Sequence, residues 1–232
     1  MQLFYSTNIS GNEIELDSQE SQHCSKVLRK GVGDTVYATD GMGNLYITQL
    51  CRTKGKNCVL SIISIEERKS ARNYKLHIAI APTKSNDRLE HFVEKSVEFG
   101  IDEITPLLCA NSERKQVKIE RITKTAISAM KQSLQCHLPK INELTTLADI
   151  MKTGSYAEKY IAHCQENDRC NISSIKNAKE ILFLIGPEGD FSQSEIDKAL
   201  KNGFTAVMLG QNRLRTETAG IAVSSYFALA QQ

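Results

Sequence analysis

From Tyr74 to the C-terminus, short apolar runs alternate with segments of helical period, and nothing else in the chain constrains the fold so strongly. Residues 74–81 are apolar enough for a strand. Residues 86–99 then place Leu89, Phe92, Val93, Ser96 and Val97 on one helical face, before Gly100 as a natural stop. The strand pattern returns over 104–109 and the helical one over 119–135. Further strands are predicted over 160–164, 180–185 and 204–209. Strands that alternate with helices pair in parallel, because each helix carries the chain back across a face of the sheet. The prediction is an α/β domain over residues 73–232.

The first 70 residues have a different rhythm. Residues 31–40 and 45–50 alternate in polarity around Gly41-Met42-Gly43-Asn44, which predicts a β-hairpin. Residues 58–65 supply a further strand, and 21–29 a short helix bearing Lys26 and Arg29, with Lys30 beyond it. So many short strands predict a small β-barrel over residues 1–70. The polar stretch 66–73 is the predicted linker.

Composition excludes several classes. Hydrophobic content of 41% with 24% charged residues is ordinary for a globular protein. No apolar run approaches the roughly 20 residues that span a bilayer, so no membrane partner is expected. Met1-Gln2-Leu3-Phe4-Tyr5 lacks the basic start and long apolar core of a signal peptide, and a cytoplasmic protein is expected. The seven cysteines are scattered without a C-x-x-C, which predicts reduced, buried thiols. Three adjoin a histidine, in His23-Cys24, Cys136-His137 and His163-Cys164. Read as strand neighbours they face opposite ways and chelate poorly, so no metal is expected. A net charge of +2 does not by itself announce nucleic acid. Residues 111–140, however, carry seven basic side chains against two acidic ones. Such a run is either a solvated helix face or a phosphate-contacting patch.

Two strands end in loops that carry chemistry. Gly186-Pro187-Glu188-Gly189 follows residues 181–185, and Leu209-Gly210 follows the last strand. Loops at the carboxyl ends of strands are where open α/β sheets bind ligands. Ser192-Gln193-Ser194-Glu195 has the form of a capping box, and Asn202-Gly203 the form of a helix end. In the second loop, Thr216 or Thr218 is the expected cap of the last helix, with Glu217 near its positive end. Arg215 gains nothing from that dipole, and so binds an anion or pairs with Glu188 or Glu217. G-x-G-x-x-G, G-x-x-x-x-G-K-[ST] and G-x-S-x-G are all absent. A ligand without a phosphate clamp fits such loops, and S-adenosylmethionine is the obvious candidate.

Gly186-Pro187-Glu188-Gly189-x-Phe191-Ser192-x-x-Glu195, together with Leu209-Gly210 and Leu214-Arg215-Thr216-Glu217-Thr218-Ala219, closely resembles the RsmE family of 16S ribosomal RNA uridine-N3 methyltransferases. His23-x-x-x-Val27-Leu28-Arg29, Lys84-x-x-x-Arg88, Lys95, Glu98-x-Gly100, Pro106, Gln132-Ser133 and Pro139 extend the resemblance along the whole chain. It implies an amino-terminal PUA-like RNA-binding barrel and a SPOUT methyltransferase domain closed by a deep trefoil knot. It also implies a homodimer and S-adenosylmethionine held by Leu184, Ile185, Gly186, Glu188, Gly189, Leu209, Gly210, Leu214, Thr218 and Ala219. The chain departs from the family in three places. Asp190 stands where a second glycine is common, Gln211-Asn212-Arg213 replaces Pro-Arg-Ile, and Leu134-Gln135 replaces Gly-Arg.

The implied activity is methylation of N3 of one uridine in the decoding region of 16S ribosomal RNA, in the small subunit or its assembly intermediate. Arg215 is the candidate cation for charge developing on the base, and Glu217 the candidate helper in proton removal. Lys26, Arg29, Lys30, Lys84, Arg88 and Arg114 are the candidate RNA contacts. The alternatives are a SPOUT enzyme for another ribosomal or transfer RNA position, and a non-catalytic RNA-binding module, since fold does not dictate substrate.

Overall fold

The computed structural model describes residues 1–54, 56–70, 72–154, 156–165 and 168–230. Two compact units emerge, Met1–Ala71 with Ile127–Leu138, and Arg72–Ala126 with Pro139–Gln232.

The first unit is a six-stranded sheet curled into a half-barrel. Its strands are β1 (Leu3–Tyr5), β2 (Ile9–Ser10), β3 (Glu13–Glu15), β4 (Thr35–Thr39), β5 (Asn44–Lys54) and β6 (Asn57–Glu67), in the order β1-β4-β5-β6-β3-β2. Pairings are antiparallel except β1 with β4. The predicted hairpin is β4–β5. Its turn is organised by Asp40, whose carboxylate accepts from the Met42 N–H (2.7 Å), the Asn44 amide (2.7 Å) and the Tyr46 hydroxyl (3.0 Å). Alternate inward residues, among them Phe4, Ile14, Val36, Ala38, Leu50 and Leu60, form the core. The helix predicted over 21–29 differs. A single turn, α1 (Ser18–Gln22), is capped by Asp17 and widens into a π-type turn over His23–Val27, after which Arg29 adopts φ +54°. The wide turn keeps Cys24 buried while Lys26 and Arg29 face solvent.

The second unit is a parallel sheet, ordered β10-β8-β7-β13-β11-β14-β12 with β9 beside β8. Its elements are β7 (Lys75–Ile80), α2 (Asn86–Glu98), β8 (Glu103–Leu108), α3 (Ile119–Gln132, of which the part from Ile127 belongs to the first unit), β9 (Lys140–Ile141), β10 (Thr145–Thr146), α4 (Leu147–Ile150), β11 (Glu158–Ala162), β12 (Cys170–Asn171), β13 (Glu180–Ile185), α5 (Gln193–Lys201), β14 (Thr205–Met208) and α6 (Thr216–Ala230). Every pairing among the described residues is parallel. In β7 and β13 every residue after the first is buried, as strands covered on both faces must be. The five positions that the helical period picks out on α2 are the ones buried. Ser96 among them shares a hydrogen bond with Ser224 of α6 (2.9 Å), and Gly220 lets the two helices meet: a Cβ there would lie 2.5 Å from the Phe92 ring.

Other expectations change. Of the linker predicted over 66–73, Ala71 lies outside the described residues, Glu66 and Glu67 extend β6, and Arg72 forks onto the Asp102 carboxylate (both bonds 3.1 Å). α6 begins at Thr216 itself, so neither Thr216 nor Thr218 is its cap. None of the three His–Cys pairs lies within a strand. Four thiols are buried, as predicted, but Cys164 is exposed and Cys51 and Cys170 are half-buried. No helix among the described residues is long and apolar enough to cross a membrane.

Candidate functional site

Sheet register gathers the site. β11 lies between β13 and β14, with Ala162 opposite both Ile185 and Val207. The chain therefore leaves all three strands at one level, on the carboxyl edge where α/β sheets bind ligands. A cavity of about 580 Å³ opens there, walled by residues 162–164, 185–188 and 207–216 with Arg169, Asp190 and Ala219. Its size falls within the range of small-molecule sites.

The first loop, 186–192, is held from every side. At Gly186 a Cβ would lie 2.9 Å from the ring of buried Phe191, so the close turn requires glycine. Asp190, the departure from the family's glycine, sits at φ +65°, which explains why glycine is common there. Its carboxylate compensates by accepting from the Phe191 N–H and the Cys164 N–H, both at 2.8 Å. The predicted capping box forms between Ser192 and Glu195, and the second Glu195 oxygen accepts from the Ala110 N–H (2.7 Å). Asn111 donates to the Asp190 carbonyl (3.0 Å), and Glu188 accepts from the Lys84 N–H (3.1 Å). The second loop, 209–215, is strapped to the first. Arg213, from the tripeptide that departs from the family, donates to the Glu188 carbonyl (3.0 Å), and the Thr216 hydroxyl donates to the Gly186 carbonyl (3.1 Å).

Residues 70–228 match the family described as an RNA methyltransferase domain. A Rickettsia conorii relative named ribosomal RNA small subunit methyltransferase E is 31% identical over 216 residues, covering 90% of this chain and 87% of its own length. The chain belongs to the ribosomal RNA small subunit methyltransferase E family. A probable rRNA-methyltransferase from Porphyromonas gingivalis superimposes with a TM-score of 0.93 at 37% identity, covering 100% of this chain and 98% of the other. A putative methyltransferase from Legionella pneumophila, solved with its bound cofactor SAM, gives a TM-score of 0.86 at 27% identity, with 96% and 95% covered. The half-barrel followed by a parallel α/β sheet is this family's architecture.

Seven of the ten residues that the family resemblance assigns to the cofactor stand in the cavity wall: Ile185, Gly186, Glu188, Leu209, Gly210, Leu214 and Ala219. Leu184 is wholly buried in the core beneath, because alternation along β13 turns it away; Gly189 packs on Asn111, and Thr218 is exposed. Arg215 lines the cavity and has no ion-pair partner among the described residues, so neither pairing considered for it forms. Glu217 is buried outside the wall. One of its oxygens lies 3.8 Å from the Arg88 guanidinium and the other has no hydrogen-bond partner among the described residues.

The basic run 111–140 is largely tied into the protein. Arg114 donates to the Thr83 and Lys84 carbonyls, Arg121 pairs with Asp87 and Glu90, Lys131 with Glu20, and Lys140 with Glu103. Of the six candidate RNA contacts, Lys26 and Arg29 are exposed and Lys30 half-buried. Lys84 is exposed 3.3 Å from Glu113, while Arg88 and Arg114 hold protein groups.

Sequence reasoning passed over His163. It sits just past β11 in the cavity wall, buried, and neither ring nitrogen has a hydrogen-bond partner among the described residues. Burial pushes its imidazole pKa down, with Arg169 adding to the effect and Asp190 opposing it. Only its place at a strand end hinted at a role. The adjacent His163-Cys164 pair bears on chelation alone.

Proposed function

We propose that the protein transfers a methyl group from S-adenosylmethionine to N3 of one uridine in the decoding region of 16S ribosomal RNA. The observation that carries this reading is the cavity at three parallel strand ends, in a chain of this family, with no phosphate cradle. The wall fits the cofactor. Ile185, Val207, Leu209, Leu214 and Ala219 offer apolar surface, backbone groups of both loops lie alongside, and His163 presents nitrogens that are unpaired among the described residues. When bound, the cofactor supplies an electrophilic methyl on a sulfonium.

This chain's residues supply the rest. The two strapped loops fix the cofactor's place, and alignment of N3 with the methyl group can contribute several kcal/mol. The N3 proton must pass to solvent before the nitrogen becomes a good nucleophile, and S-adenosylhomocysteine leaves once the methyl group is transferred. We assign Arg215, a guanidinium in the wall without a carboxylate partner among the described residues, to stabilise negative charge developing on the neighbouring carbonyl oxygen. Glu217 lies outside the wall with one oxygen 3.8 Å from Arg88, so we assign it to hold Arg88 rather than to take a direct part in proton removal. Lys26, Arg29 and Lys30 on the first unit, and Lys84 on the second, are assigned to the RNA backbone, so affinity should fall steeply with salt.

The same reading includes a cytoplasmic homodimer, a small ribosomal subunit or its assembly intermediate as substrate, and a knot where the chain beyond β14 returns to Gly186. Mass spectrometry of small-subunit RNA from a deletion strain tests it: one methyluridine is lost and then restored by the purified protein with S-adenosylmethionine. An unchanged nucleoside profile would sink the assignment, and a lost methyl group on a transfer RNA would redirect it.

A further inference from the structure

We propose that His163 is a cofactor-binding residue whose imidazole hydrogen-bonds the nucleoside half of S-adenosylmethionine. The inference rests on the reading of the cavity given above and names a contact within it. Three observations carry it.

The first is burial without partners. His163 is 5% exposed and lines the cavity, yet Nδ1 and Nε2 are both unbonded among the described residues. Buried polar atoms in native proteins are nearly always paired, so this ring is built to meet something that enters the cavity.

The second is how firmly the ring's backbone is held. The His163 carbonyl accepts from Arg169 (2.7 Å), and the next N–H, of Cys164, donates to Asp190 (2.8 Å). β11 fixes the preceding residue in register with Ile185 and Val207. A contact group held this way needs little reorganisation when its ligand binds.

The third is charge. The groups that face the ring are Arg169 and Asp190 on neighbouring segments, with Glu188, Arg213 and Arg215 elsewhere in the wall. Burial keeps the imidazole neutral, with one donor and one acceptor nitrogen. The sulfonium of the cofactor offers no hydrogen bond, and its ammonium can use only the acceptor nitrogen of the ring. Its carboxylate is better matched by the three guanidinium groups of the wall. The ribose hydroxyls and the adenine edge are the neutral donor–acceptor groups that remain.

The test is calorimetric titration of wild type, His163→Ala and His163→Gln with two probes. One is S-adenosylmethionine, and the other is 5′-methylthioadenosine, which keeps the nucleoside but lacks the amino-acid end. We expect His163→Ala to weaken both probes by about tenfold. His163→Gln should recover part of the loss, because its amide also donates and accepts. Thermal unfolding without ligand checks that each variant folds. A folded His163→Ala that binds both probes as wild type does overturns the inference, as does one that loses the full cofactor but keeps methylthioadenosine. Failure of wild type itself to bind S-adenosylmethionine would instead overturn the reading of the cavity.

Discussion

The two loops of the cavity differ in how they are held, although both leave parallel strands at the same edge. The first buries Gly186, Pro187 and Phe191 and takes hydrogen bonds from Lys84, Asn111 and Cys164, on three separate segments of the chain. The second is exposed from Gly210 to Arg213, and its ties to the first are the Arg213 and Thr216 bonds. A segment with few buried contacts opens at low free-energy cost. The first loop thus belongs to the folded core, while the second is free to specialise in its ligand. Substitutions should therefore cost stability in the first and function in the second.

The largest expected effect is Phe191→Ala, which empties a buried ring site beneath the first loop and should cost about 3–5 kcal/mol in urea unfolding. A loss below 1 kcal/mol would mean that the first loop is no better anchored than the second.

Acid separates unfolding of the sheet from changes at the loops. Burial pushes the His77 imidazole down to about 4 from the ordinary 6.5, with Lys140 adding and Glu103 opposing. The ring is held neutral between Tyr156 and Thr105 (2.7 Å each). A folded pKa below the unfolded one means that the stabilisation is complete above pH 6.5 and is lost as pH falls towards 4. The change should reach about 3 kcal/mol and should flatten in His77→Gln, measured by unfolding across that window. An equal pH slope in the variant would place the titration elsewhere.

Arg215→Ala should lower kcat by about a hundredfold with little change in stability. Unaltered turnover on ribosomal subunits would remove Arg215 from the chemistry. Asp190→Ala should cost about 1–2 kcal/mol, from left-handed backbone strain plus two lost carboxylate bonds. Asp190→Gly should lose only the bonds, so equal losses in the two variants would argue against strain. Arg213→Ala is the smallest in stability, within about 0.5 kcal/mol. It should weaken cofactor binding several-fold by releasing the strap, and a titration matching wild type would show the loops to be independently positioned.

Local pattern made much of this protein legible. The period on α2 picked out all five buried positions, Ser192 and Glu195 announced their capping box, and the apolar run 181–185 announced a strand. These features depend on residues within a few positions of one another. The motif resemblance added seven residues of the cavity wall, but it could not tell Leu184, turned into the core, from Ile185, in the wall. The wide turn over His23–Val27 and the place of Ile127–Leu138 in the first unit left no local signature.

The elements and their polarity follow from the amino-acid order, because periodicity, caps and glycine positions act along the chain. Which side chains meet depends on the folded arrangement. The sheet order set β11 between β13 and β14, and so brought His163 to a cavity whose other walls lie some 20 to 50 positions away along the chain. It also turned a basic run into struts and ion pairs, and an unfamiliar Arg213 into a strap between loops. Hydrogen bonds and burial depend on proximity in space, and parallel pairing through crossovers is what separates proximity in space from proximity in sequence.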